Sequence, residues 1–82
     1  MNIEISRDVK ANQIWQHYQG KEYFVIDIGY DTTKSSPIDE PLAIYRSLYT
    51  CDEFGRQALW SRPLKEFLHK EKDGKYKFLF IR

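Results

Sequence analysis

At 82 residues the chain has room for one domain with one small core, and a second domain is excluded. Hydrophobic residues make up 41% and aromatic residues 16%, so a few large rings, each able to bury roughly 150–250 Å², must supply much of that core. A formal net charge of +1, with 30% charged residues, argues against a nucleic-acid binder that relies on bulk charge.

The first thirteen residues read as an N-terminal arm with two open readings. Ile3 and Ile5 alternate like a short strand, while Ser6 ahead of Arg7 to Ala11 has the form of a helix cap. Ile14 to Tyr18 alternates around Trp15 and His17 and predicts a first strand, closed by a turn at Gln19-Gly20-Lys21. Tyr23 to Tyr30 is the clearest strand, with Phe24, Ile26, Ile28 and Tyr30 as its expected inward face and Gly29 marking a bend or bulge. Asp31 to Pro41, rich in Asp, Thr, Ser and Pro, predicts a loop.

Leu42 to Tyr49 predicts a third strand. Leu42, Ile44 and Leu48 form its more apolar face, interrupted by Arg46, which either extends its head to water over a buried stem or pairs with a carboxylate such as Asp27. Tyr45 and Tyr49 take the other face. Thr50 to Gln57 is a polar connection, and Ala58 to Arg62 returns as a fourth strand, most simply in an antiparallel hairpin. Pro63 suits the first position of a helix, and Leu64, Phe67 and Leu68 follow at helical spacing. An Asp73-Gly74 turn then leads into a final strand, Tyr76 to Ile81.

Five strands with one helical turn between the fourth and fifth predict a mainly β fold, an SH3-like barrel or roll over residues 14–82. The five-stranded oligonucleotide-binding barrel is the competitor. Its helix usually falls between the third and fourth strands, where this chain has only the polar stretch around Gly55.

Three stretches carry a family resemblance. His17-Tyr18-Gln19-Gly20-Lys21-Glu22-Tyr23-Phe24-Val25 resembles the His-Tyr-x-Gly-x-x-Tyr-x-Val opening of domain-of-unknown-function family 1653. Ile44-Tyr45-Arg46-Ser47-Leu48-Tyr49 resembles that family's Val-Tyr-x-x-Leu-Tyr strand, and Trp60-Ser61-Arg62-Pro63 with Leu64 and Phe67 its Trp-x-Arg-Pro element. The resemblance covers about Ile14 to Ile81 and implies a small bacterial protein with an SH3-type barrel; it implies no activity. The chain departs from the family pattern in two longer loops, Asp31 to Pro41, which lacks the usual His-Ser-Glu-Thr run, and Thr50 to Gln57.

The densest chemistry lies between Leu42 and Phe67. If the third and fourth strands pair, Tyr45, Tyr49, Trp60 and Arg62 share a face able to stack a planar group and contact a carboxylate or phosphate, and His17 and Tyr18 join it if the first strand lies nearby. The structural alternative is that Trp60 and one tyrosine are core rings while Arg62 holds a carboxylate or caps the adjacent turn. His69, among lysines, reads as a favourable charge at the end of the helical turn.

A non-catalytic binding module for a peptide or protein partner is therefore the expected function, with a nucleic-acid accessory domain as the alternative. Ser61 to Arg82 carries a net +4 against −3 for Met1 to Trp60, which offers Lys70 to Lys77 as a phosphate-contacting segment or simply a solvated hairpin face. A small enzyme using Cys51 or His17 is a third reading, and no nucleophile and base are spaced to support it. One Cys and two His match no metal-ligand spacing, and no cofactor is expected. The lone Cys51 fits a reducing compartment, and no apolar run approaches the roughly 18 residues of a membrane span. The expectation is a cytoplasmic protein with no membrane partner.

Overall fold

The computed structural model describes residues 8–53, 55–71 and 73–82, so the alternative readings of the first residues, around Ile3, Ile5 and Ser6, lie outside the described residues. Its main sheet has five antiparallel strands: β1 (Ile14–His17), β2 (Glu22–Gly29), β3 (Leu42–Ser47), β6 (Leu59–Pro63) and β7 (Phe78–Phe80). A two-stranded ribbon of β4 (Thr50–Cys51) and β5 (Gly55–Arg56) stands apart, and one short helix, α1 (Leu64–Phe67), follows β6 directly. The predicted mainly β, roll-like architecture with its helical turn between the fourth and last long strands is what the chain adopts.

Strand order across the sheet is β6-β3-β2-β1-β7. The two end strands are not laddered to each other among the described residues, so the roll does not close through backbone hydrogen bonds. Side chains bring its ends together instead. Phe67, on the helix that continues β6, stacks on Phe78 of β7 with ring centroids 4.2 Å apart and planes 6° from parallel. Trp15 meets Phe67 edge-on at 5.4 Å, and Tyr45 meets both Phe67 and Phe78 at 5.3 and 5.9 Å. With Val9, Val25 and Ala43 these rings form the buried core, which is as ring-rich as the composition requires.

The core lies on a different face of β2 from the expected one. Tyr23 and Val25 point inward, and Phe24 and Ile26 do not enter the core cluster. Farther along, Ile28 packs against the core after all, because the pairing with β3 shifts between Val25 and Asp27: Val25 faces Tyr45 and Asp27 faces Ile44. This β-bulge inserts one extra residue and reverses the alternation beyond it. On β3 the buried residues are Ala43, Tyr45 and Ser47, and the more apolar set Leu42 and Ile44, with Arg46, takes the outer face. Ser47 is fully buried, its amide donating to the Ala58 carbonyl at 2.9 Å. Asp27 does not pair with Arg46; its carboxylate accepts the Ile28 amide at 2.7 Å.

The connections follow local chemistry. Gly20 and Gly74 adopt φ of +107° and +87°, a region that costs a side-chain-bearing residue, and each sits in the turn its sequence predicts. The Asp31 carboxylate accepts from both the amide and the hydroxyl of Thr33, at 2.9 and 2.6 Å, an Asx-type turn that opens the Asp31–Pro41 loop. That loop also contains a 3₁₀ turn, Pro37–Asp39. The stretch after Tyr49, expected as a plain loop, forms the β4–β5 ribbon. Pro63 caps α1 one position before the predicted place, and the Leu64 amide donates to the Pro41 carbonyl at 2.8 Å. Before β1, the Gln13 side-chain oxygen accepts from both the Lys10 amide and the Trp15 indole, at 2.8 and 2.9 Å, tying the entering chain to the core tryptophan.

Candidate functional site

The pairing of β3 with β6 sets Tyr45 opposite Trp60 and Ala43 opposite Arg62, which puts Tyr45, Trp60 and Arg62 on one face. The pairing of β1 with β7 sets His17 opposite Phe78. Around these residues the sheet leaves a cleft of about 330 Å³. Tyr45, Trp60, Arg62, Phe78 and His17 reach it from strands, Tyr23 from β2, Tyr49 from just beyond β3, and Gln19 and Lys21 from the turn after β1. Five of the six residues singled out from the sequence thus converge. Tyr18 does not: it is 50% exposed, lies against the His17 ring at 4.4 Å, and lines a neighbouring groove with Tyr76 and Leu79.

The rings run without a break from the core to the cleft. Tyr23 meets Tyr45 at 5.3 Å, Phe78 at 5.7 Å and Tyr49 at 5.6 Å, all edge-on. Tyr45 is a core ring at 4% exposure, whereas Tyr49 and Trp60 are half-buried. The structural alternative therefore describes the rings in part. Its carboxylate branch does not describe Arg62, which makes no ion pair with a carboxylate among the described residues and lies 5.6 Å over the Phe78 ring. Lys21 sits 4.4 Å over the Tyr49 ring. Of the nearby charges, Lys77 is occupied by Glu71 at 3.5 Å, and no carboxylate among the described residues lines the cleft.

Protonation follows from burial. Desolvation pushes the Tyr23 hydroxyl well above the usual phenol range, and its hydrogen bond with Tyr49 at 2.9 Å adds to the shift. Burial also raises Tyr45, with the Arg62 charge and hydrogen bonding working the other way. At neutral pH Tyr23 and Tyr45 are therefore proton-bearing donors. Tyr23 and Tyr49 have two hydroxyl protons and share one hydrogen bond, so the pair retains a proton to donate elsewhere. His17 is held below its ordinary value of 6.5, first by desolvation and then by Arg62 and Lys77, against a smaller opposing pull from Glu71. Its Nδ1 accepts the Gln19 amide at 3.1 Å, so the neutral ring carries its proton on Nε2.

This arrangement has a pH consequence. Between the depressed folded pKa and 6.5 the unfolded chain binds more protons at His17 than the folded chain, so stability rises with pH across that window. Lowering pH from above 7 through 6.5 should reduce Tm, and His17→Asn, which keeps an acceptor near the Nδ1 position, should flatten that part of the profile. Thermal melts of both proteins across the window check this; parallel profiles would contradict it.

Cys51 lies half-buried on β4 and does not line the cleft that His17 lines. Among the described residues no three His, Cys, Asp or Glu side chains gather as a metal site. No helix among the described residues is long and apolar enough to cross a membrane. A separate apolar groove of about 270 Å³ lies between Pro41 and α1, lined by Pro63, Leu64 and Leu68. Asp39, Glu40 and Lys65 also line it, so both signs of charge stand there.

Lys21, Gln19, Tyr23 and Phe78 are cleft residues that the sequence did not single out. Tyr23 was assigned to the outward face, and Phe78 enters only through the β1–β7 pairing, for which neighbouring residues carry no signal. The His17 to Val25 run held the one local clue, since it places Lys21 and Tyr23 just beyond His17.

The geometry defines a small antiparallel β roll with an aromatic, cation-bearing cleft on its inner face. Residues 13–80 match the family described as Protein of unknown function (DUF1653), and the chain belongs to that family. The match spans all five strands of the main sheet and every residue of the cleft. The chain has no match among curated proteins or among solved structures.

Proposed function

We propose that this protein is a non-catalytic binding module that takes a segment of a peptide or protein partner into the cleft between β1, β3 and β6. What supports the reading is one convergence: aromatic rings, two cations without carboxylate partners among the described residues and several protonated donors meet in a concavity of about 330 Å³. Rings of that kind supply contact area at low entropic cost, and fixed polar groups orient what they hold. The half-buried lone Cys51 fits a reducing interior, so a cytoplasmic, bacterial module is the form the proposal takes.

The nucleic-acid alternative draws less support from the surface. Within the basic C-terminal segment Lys77 is paired with Glu71 and Lys70 lies over its own neighbour Tyr76, which leaves no continuous cationic track for a backbone among the described residues. Selection of random displayed peptides on the protein and on the Lys21→Gln, Arg62→Gln double variant tests the proposal. Sequences should enrich on the first and not on the second, with both shown folded by circular dichroism. Equal enrichment would move the site elsewhere, and none on either would reject peptide binding.

A further inference from the structure

We infer that the feature recognised in the cleft is a single carboxylate of the partner peptide, held by Arg62 and Lys21 with tyrosine and histidine N–H and O–H donors around it. The inference rests on the binding-module reading and names its ligand chemistry. Its basis is an imbalance of charge. Three ion pairs occur among the described residues, Lys34–Glu40, Lys77–Glu71 and Arg82–Glu22. They leave several described cations without an ion pair, and of these Lys21 and Arg62 are the two that line the cleft. Arg62 is half-buried, and desolvating a guanidinium without an anion is unfavourable unless something supplies one.

The donors have one polarity. Lys21 and Arg62 only donate, neutral His17 presents Nε2–H, and the Tyr23–Tyr49 pair retains a hydroxyl proton. A group that accepts from all of them at once is an oxyanion. The rest of the molecule argues for one such group on a peptide: net charge is only +1, and the flanking Lys77 already has its acid. A carboxylate matches the planar fork of Arg62, which lies over Phe78, so the ring borders the space where the ligand's adjoining carbons would pack.

His17 provides a readout that a structural role for Arg62 would not move. It feels Arg62, Lys77 and Glu71 as charges, and an anion entering beside it favours its protonated form, so its pKa should rise when the cleft fills. The test follows the His17 ring protons and the backbone amides by NMR during titration with four probes. These are a blocked tetrapeptide with a free C-terminal carboxylate, its amidated copy, an amidated copy carrying an internal glutamate, and a short single-stranded uridylate oligomer.

Carboxylate-bearing peptides should shift the cleft amides and raise the His17 pKa while the neutral copy does neither, and the first and third probes distinguish a chain terminus from an acidic side chain. Arg62→Gln should weaken binding roughly ten- to hundredfold, and Arg62→Lys, which keeps the charge without the fork, should recover part of it. If the amidated neutral peptide binds the cleft equally well, the carboxylate inference is overturned and the module stands. Should no peptide perturb the cleft, or only the oligomer do so, the module reading falls and this inference with it.

Discussion

Phe67→Ala is expected to remove a large share of the stability of the fold. Phe67 is fully buried and touches the rings of Trp15, Tyr45 and Phe78. Truncating a buried phenylalanine typically costs about 3–5 kcal/mol through lost transfer energy and the cavity left behind. An 82-residue domain has about 4–12 kcal/mol of stability in total, at 0.05–0.15 kcal/mol per residue. The position matters as much as the area. Phe67 and Phe78 join the two ends of a sheet that no backbone ladder closes, so the cavity opens where the roll has least other reinforcement. Denaturant unfolding monitored by tryptophan fluorescence should show the midpoint collapse, with Phe67→Leu losing much less. A loss below 1 kcal/mol for the alanine variant would mean the roll is held by something other than these rings.

Tyr45→Ala should cost almost as much, and that changes how the cleft is to be probed. From sequence alone Tyr45 is an attractive surface position. In the fold it is a core ring that also borders the cleft, so its truncation costs on the order of 3–5 kcal/mol and confounds binding with folding. Tyr45→Phe keeps the ring and removes the hydroxyl, at a cost of about 0.5–1.5 kcal/mol. Chemical denaturation of the two variants should separate them clearly. Similar losses would mean that the hydroxyl, with its Arg62 contact, carries the position. Lys21→Gln and Arg62→Gln remain the clean binding probes, because neither side chain belongs to the core cluster.

Much of the architecture was legible because it is written locally. The run from Tyr23 has the length and composition of a strand and becomes β2, Glu22–Gly29. Pro63 followed by Leu64 and Phe67 announces the helical turn, and Gly20 and Gly74 mark turns where φ is positive. Tyr45, Trp60 and Arg62 are expected together because an antiparallel hairpin can put them on one face, and the observed pairing of Tyr45 with Trp60 and of Ala43 with Arg62 does so. What was not legible depends on contacts made across the chain. The extra residue in β2 is invisible because Ile26 continues the apolar alternation of Phe24 and Ile28, so a strict alternation through it picks the wrong face. Phe78 reaches the cleft only because β7 pairs with β1 from the far end of the sequence. On β3 the more apolar face lost to the one that places Tyr45 among Phe67, Phe78 and Tyr23, because the rings offer more contact area than the aliphatic set.

The bulge in β2 also bears on how the length of this chain can vary. Val25 faces Tyr45 and Asp27 faces Ile44, so Ile26 has no counterpart across the ladder. Excising that one residue leaves a regular strand in which Tyr23, Val25 and Ile28 still point into the core. Losing Phe24 instead would turn Tyr23 outward, break its hydrogen bond with Tyr49 and dismantle one wall of the cleft. Single-residue deletions are therefore tolerable at the bulge, where the strand has a residue to spare, and not beside the cleft.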